Sequence, residues 1–577
     1  MRGWLRSMGL ALFVAGGVAR ADGFEPVTPV SPQAAVPMMV NLAPLADWGV
    51  QQPFMDRMKV ARPWIGHLPR RWGGVTHDDL AARGLLDADG WPTQVPHDVT
   101  SVATLIMVDL PAEATSLAGR YVLRFEGDGI VEAGGRASNQ RYGKNQVSFD
   151  FTPGPGGVEV KIQRSDRARN GDYVRNITVV REDRVETFDQ GAIFNPDFLA
   201  VIDGFEGLRY MDWMHTNNST LSEWAERPRP GDYTYVWRGI PAEIVIELSN
   251  RTGTMPWVTL PHLADDGYFR GMAELIAAQL DPDLPVYVEY SNEVWNWSFQ
   301  QAHWAEEQAR ARWGIEHRWL NFYGMRAMEM AQIWREVFAD APDRLVTVMA
   351  VQAAWLGLED QALRAEHWLS ESPDNRPPHG FFDAYAITGY FSGNIGTEQG
   401  APMVHEWLDE SAARAEAAAD AEGLTGAART RFIDTHRYDL AFALAGAEML
   451  DGSISGNPEN SIQDLVTRVL PYHREIADRY GMELIMYEGG THIVGLGPVM
   501  DDTEIDAFFR AFNYSEEMGA LYTHLLAGWA ANTDGPFNIY NDVYRPLKWG
   551  SWGALRHLTD ENPRWDAIQL FLKGPDG

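Results

Sequence analysis

Short apolar runs alternate with amphipathic stretches along most of this chain. Segments 208–212, 257–262, 286–290, 345–349, 382–388, 484–487 and 522–529 read as buried strands. Segments 240–252, 268–280 and 298–311 between them carry the helical spacing of apolar residues. An earlier run, 37–42, completes a set of eight strands. Strands that alternate with helices predict a parallel sheet, and eight such units predict closure into an α/β (β/α)8 TIM barrel. The strands are apolar on both faces, as a barrel requires.

The period changes after the first strand. Segments 121–125, 129–133, 146–151 and 158–162 alternate apolar and polar residues with period two, and Gly, Pro, Asn and Asp separate them. That pattern predicts an inserted antiparallel β-sandwich domain over residues 72–185. Few aromatics on these strands are placed to face solvent, so a structural buttress is the simpler reading than a carbohydrate-binding module. Residues 22–71 then hold a linker and the first barrel strand, and 186–577 the remainder of the barrel. A long excursion, 392–480, separates the sixth and seventh strands. Its 411–422 stretch is rich in Ala, Glu and Arg and predicts helix. An excursion of this length at a barrel's C-terminal face reads as a lid or cleft wall.

Composition narrows the function. Hydrophobic residues at 45% and charged residues at 22% suit a soluble globular chain. The formal net charge of −32 speaks against nucleic acid as a partner. Arg2 and Arg6, a short apolar stretch and Ala19-Arg20-Ala21 form the pattern of an export signal over residues 1–21, which predicts a secreted or periplasmic protein. There is no cysteine, hence no disulfide framework. No later run is long and apolar enough to predict a membrane span.

Two carboxylates carry the chemistry. Glu293, in Val286-Tyr-Val-Glu-Tyr-Ser-Asn-Glu293, and Glu488, in Leu484-Ile-Met-Tyr-Glu488, each follow the C-terminal end of an apolar strand. A charge there is costly unless partnered or used, and the C-terminal strand ends are where a barrel builds its active site. A proton donor and a nucleophile or base are what glycosidic cleavage needs. Asn292 stands beside Glu293 as a candidate for binding a sugar hydroxyl. Trp295 and Trp297 come next in the chain as candidate platforms for sugar rings. Gly489 and Gly490 after Glu488 allow close approach to the backbone.

These motifs resemble those of the clan A (β/α)8-barrel retaining glycoside hydrolases, with the nearest likeness to glycoside hydrolase family 5. Glu289-Tyr-Ser-Asn-Glu293 matches that family's acid/base motif, with Val294 in place of its proline, and Glu488-Gly-Gly490 matches its nucleophile motif. The resemblance implies an Arg beside the nucleophile at Arg209, a strand-three His at His262, a Tyr contacting the nucleophile at Tyr390, and a Trp platform on strand eight at Trp529. The family's His before that Tyr is replaced here by Thr388. The resemblance also implies a retaining β-glycosidase that acts on a polysaccharide or oligosaccharide without a cofactor. In it Glu293 is expected to be protonated and Glu488 ionised.

Other polar positions carry weaker signals. Asp212 is placed to orient Arg209, and His492, Asn532, Asp534 and Asn538 suit either sugar contacts or ordinary turn chemistry. Asp87-Ala-Asp-Gly90 lacks the later ligands of a calcium loop, and the histidines lack zinc spacing. Two alternatives remain: a transglycosylase on the same scaffold, which would exclude water with the 392–480 excursion, and a non-catalytic carbohydrate-binding protein, which loss of either glutamate would favour. An ester hydrolase would need a nucleophilic Ser, and Ser291 has no evident His or Asp partner.

Overall fold

The computed structural model describes residues 25–575, and the expected export signal lies outside them. Eight parallel strands close a barrel in chain order: β1 (Met38–Asn41), β2 (Gly207–Arg209), β3 (Met255–Leu260), β4 (Val286–Tyr290), β5 (Leu345–Val351), β6 (Ala384–Phe391), β7 (Glu483–Thr491) and β8 (Phe537–Ile539). β8 closes the ring by pairing with both β1 and β7.

The barrel interior has two layers of different chemistry. Its floor is an apolar plug in which Trp257 and Tyr287 stack against each other and the small residues Ala350, Ala384 and Ala386 leave them room. Above it, toward the C-terminal strand ends, lie Asn41, Arg209, Glu289 and Asn538, all at most 1% exposed. Period-two alternation sends these side chains inward from β1, β2, β4 and β8. The expectation of strands apolar on both faces therefore fails at this one layer, and the layer lies directly beneath the functional site.

Between β1 and β2 stand two antiparallel sheets. One runs Gly74–Val75, Ile65–His67, Ser101–Ile106, Val158–Ser165, Gly129–Gly135; the other Arg175–Arg181, Gly119–Glu126, Gln146–Phe151, Ser138–Gly143. Val147, Phe149 and Phe151 alternate into the core of these sheets, as do Val158, Val160 and Ile162. The excursion after β6 is helical, with Ala401–Ala421, Gly426–His436, Asp439–Asp451 and Leu470–Tyr480 as its main helices.

One strand assignment needs correction. Segment 522–529 belongs to the helix Glu516–Asn532, and β8 lies after it. The apolar run is a largely buried helix, which periodicity alone does not separate from a buried strand. The start signal sits upstream: Ser515 caps the helix by accepting from Met518 N, and Glu516 and Glu517 occupy its first turn. No helix among the described residues is long and apolar enough to cross a membrane.

Candidate active site

Arg209, at the end of β2, is the hub of the polar layer. It is 0% exposed. Its Nη1 donates to Glu488 Oε1 at 2.8 Å and to Asn41 Oδ1 at 3.0 Å; its Nη2 donates to Glu289 Oε2 at 2.9 Å and to Asn292 Oδ1 at 2.8 Å. The guanidinium also lies over the rings of Trp257 and Tyr487. One cation thus joins two buried carboxylates. Removing it would leave both uncompensated, a loss of the kind that costs roughly 3–5 kcal/mol.

The backbone of β7 explains how Tyr487 and Glu488, adjacent in sequence, both reach the site. Ile387 pairs with Met486 but Thr388 pairs with Glu488, so Tyr487 is the extra residue of a bulge. Successive side chains of a regular strand point to opposite faces, and a bulge re-aims one of them. Tyr487 OH consequently donates to Glu293 Oε1 at 3.1 Å, while Glu488 takes Arg209 on one oxygen and Tyr390 OH on the other at 2.9 Å.

Glu293 follows β4 on a turn in which Ser291 and Glu293 both have left-handed backbone, at φ 63° and 42°. Non-glycine residues rarely hold that conformation, and it concentrates at functional sites. The turn brings Asn296 Nδ2 to Glu293 Oε2 at 2.9 Å and Trp295 Nε1 to Tyr487 OH at 3.1 Å. Asn292 Nδ2 donates to Asn217 Oδ1 at 3.1 Å.

Glu293 and Glu488 line one cleft of about 520 Å³ together with Asn292, Trp295 and Tyr390. Burial, and after it the charge of Glu488, pushes Glu293 up to about 8 from the usual 4.5. Burial raises Glu488 too, but Arg209 and the Tyr390 hydroxyl oppose the rise by stabilising its anion. With Arg209 in contact with Glu488 and not with Glu293, the negative charge of this pair belongs on Glu488 and the proton on Glu293.

Two expected site residues are placed elsewhere. Trp529 is not a platform: it is fully buried on the helix Glu516–Asn532, with Nε1 donating to Gly535 O and its ring against Phe537. His262 is 4% exposed, edge-on to Trp304, and burial lowers it to about 4, so it sits as a neutral ring behind the cleft wall. Asp212 receives Tyr540 OH at 3.5 Å rather than Arg209, and burial together with Glu488 raises it to about 7. Asn532 holds helix carbonyls, Asn538 is buried in the barrel and Asp87 closes a tight turn onto Asp89 N and Trp91 N. His492 does reach the cleft, as does Thr388. Ser291 Oγ is buried with no hydrogen-bond partner, which leaves it unactivated.

Sequence reasoning missed Tyr487, Asn296, Tyr540 and Trp552. Tyr487 reads as one more apolar strand residue turned into the barrel like Ile485, and only its hydroxyl contact with Glu293 reveals its role. Trp552 lies in an irregular segment that carries no period. Its half-buried ring stands edge-on to Tyr390, His492 and Tyr540, with centroids 6.0, 5.1 and 5.7 Å apart, and forms the aromatic wall beside Glu488. No group of three or more His, Cys, Asp or Glu among the described residues is arranged to hold a metal ion.

A proton-bearing carboxyl and an ion-paired carboxylate, facing one cleft from β4 and β7, can protonate one atom of a bound molecule while attacking another. No protein-family profile matches the chain, and no curated protein does. Solved structures that it resembles include a double mutant of the Cellulomonas fimi endo-β-1,4-mannanase (11% identity, 58% of this chain and 57% of that one, TM-score 0.27). A fungal β-1,4-galactanase structure shares 10% identity over 67% of this chain and 96% of that one, with TM-score 0.29. The Thermotoga maritima β-glucosidase in complex with glucoimidazole shares 10% over 68% and 88%, with TM-score 0.31. The chain spans 54–57% of the length of the mannanase chains it matches. At these identities the likeness concerns the fold alone, and the closed barrel stands on its own strand pairing.

Proposed function

We propose that this protein is a retaining glycoside hydrolase that cleaves β-glycosidic bonds of a polysaccharide or oligosaccharide. The observation that carries the reading is the division of labour in the cleft: Glu488 bound to Arg209, and Glu293 pushed up to about 8. Glu293 gives its proton to the glycosidic oxygen as the bond from that oxygen to the anomeric carbon breaks. A Glu488 oxygen forms a bond to the same carbon, giving a glycosyl-enzyme. That ester carries no charge, so the anion that helped raise Glu293 is gone. Glu293, now a carboxylate, takes a proton from water, and the water oxygen displaces Glu488 from carbon. Clan A glycoside hydrolases share this use of two carboxylates, and the match of motif order supports placing the chain among them.

Glu488→Ala is the direct test, assayed on 4-nitrophenyl β-glycosides and a panel of β-linked polysaccharides. Hydrolysis should disappear, and added azide should restore turnover of the activated glycoside as a glycosyl azide of inverted configuration. Unchanged hydrolysis by the variant would remove the mechanism.

A further inference from the structure

Two further cavities share lining residues with the cleft that holds the glutamates. One, of about 460 Å³, shares Trp295, Asn296, Gln352 and Ala354 with the central cleft. The other, of about 650 Å³, meets it at Asn217 and runs past Asp212 and His215. A site that removed single units from a chain end would need the central space and one flank. Here two neighbouring spaces meet the central one at different residues, the first at Trp295 and Asn296 and the second at Asn217.

The flanks differ in chemistry. The first carries Trp297 and Trp355, 39% and 54% exposed, on the loops that come after β4 and β5. Scattered exposed apolar residues need no explanation, but large ones gathered in a groove with a polar rim mark ligand surfaces. The ring of Trp297 is backed by Trp319 at 4.9 Å, which fixes its orientation. Flat aromatic faces suit the C–H faces of sugar rings. The shelf is lined by Asn296, whose Nδ2 holds Glu293 Oε2 at 2.9 Å, so it lies on the side of the proton donor and hence of the leaving group. The second flank is lined by Asp212, which accepts from Tyr540 OH at 3.5 Å, and the Tyr540 ring stands edge-on to Tyr390, whose hydroxyl holds Glu488, so this flank lies on the side of the sugar that Glu488 attacks.

The charge of the trench selects among polymers. Arg238, which lines the second flank, is held by Asp232 at 2.6 Å. Arg209 is fully committed beneath the cleft. Burial lowers His215 and His492, which keeps both rings neutral. An acidic polysaccharide would meet Glu488 and Asp212 with no free cation from these groups to receive it, and Asp464, also in the lining, is already paired with Arg468.

We infer that the enzyme acts in the interior of an uncharged β-linked polysaccharide, laid through a trench open at both ends and gripped on its leaving-group side by Trp297 and Trp355. This rests on the proposed function above, and the test separates the two. The full-length protein is given soluble neutral β-linked glucan, mannan, galactan and xylan, and the products are sized over time. The substrate that is cleaved should pass first through fragments of intermediate length. Replacing both tryptophans (Trp297→Ala with Trp355→Ala) should lower kcat/KM on that polymer about tenfold or more. Restoring a ring at one position with Trp355→Phe, in the presence of Trp297, should recover most of the rate. Trp355 is 54% exposed, so its replacement should leave Tm near that of the parent; Trp297 packs on Trp319, so the rate of the double variant is read well below that variant's own Tm. Release of small sugars from chain ends from the first time point, or a double variant within twofold of the parent on polymer, would overturn the inference while Glu488-dependent hydrolysis still upheld the proposed function. Absence of any Glu488-dependent cleavage across glycosides and polymers would overturn both.

Discussion

The behaviour of Glu293 is set by the surroundings of its carboxyl. Held near pKa 8 in the folded chain, against an ordinary 4.5, it keeps its proton through neutrality. Activity that needs this proton falls as pH rises through about 8, whereas Glu488 must lose its proton for activity to appear at low pH. Glu293→Gln should lower kcat/KM on substrates with poor leaving groups by roughly 10²–10⁴-fold and abolish the alkaline limb of the profile. The same shift links to stability. Between pH 4.5 and 8 the folded chain binds more protons at this site than the unfolded one, so its contribution to stability declines as pH rises across that window. Glutamine removes the decline, and Tm of the variant should exceed that of the parent at pH 8, with the gap closing toward pH 4.5. An alkaline limb that survives the substitution would contradict this account. At this scale the sequence was informative where a charge ended an apolar strand, as at Glu293 and Glu488. It was silent about Tyr487, which reads as one more apolar residue turned into the barrel like Ile485, and about Trp552, which comes from a loop without a period.

The cleft wall is built by a clasp between two loops. After β6 the chain passes Gly396, and after β7 it passes Val494 and Leu496; Leu496 N donates to Gly396 O at 2.8 Å, and His492 N to Phe391 O at 2.8 Å. A Cβ on Gly396 would overlap the carbonyl of Val494. Gly396→Ala should therefore cost roughly 1–3 kcal/mol. It should also push His492 and Leu496 out of the cleft, lowering both Tm and kcat/KM. A variant with the parent's Tm and rate would show that the clasp does not shape the wall. Element by element, seven of the eight strands were legible, because parallel barrel strands are short continuous apolar runs. The eighth was not. β8 has three residues, too few to show a pattern, and the buried helix before it offers a longer apolar run in its place. Trp529 was misplaced for the same reason, since a platform expected on the last strand followed the wrong segment into the core.

Across the whole molecule, barrel closure is what makes two distant residues into one site. Glu293 and Glu488 belong to strands three places apart in the ring, and the interior layer of Asn41, Arg209, Glu289 and Asn538 joins those strands beneath the cleft. That layer explains how a chain of net charge −32 tolerates carboxylates in its centre: each is neutral or shares Arg209. The order of the motifs along the strands was readable in advance because a barrel maps sequence order onto angular position. The flanking cavities were not, since they arise where loops from different strands meet. The stereochemistry of the first product tests the central claim most directly. Proton NMR of a cleaved β-linked substrate, recorded before mutarotation, should show the β-anomer of the new reducing end appearing first; first appearance of the α-anomer would mean that water, and not Glu488, attacks the sugar.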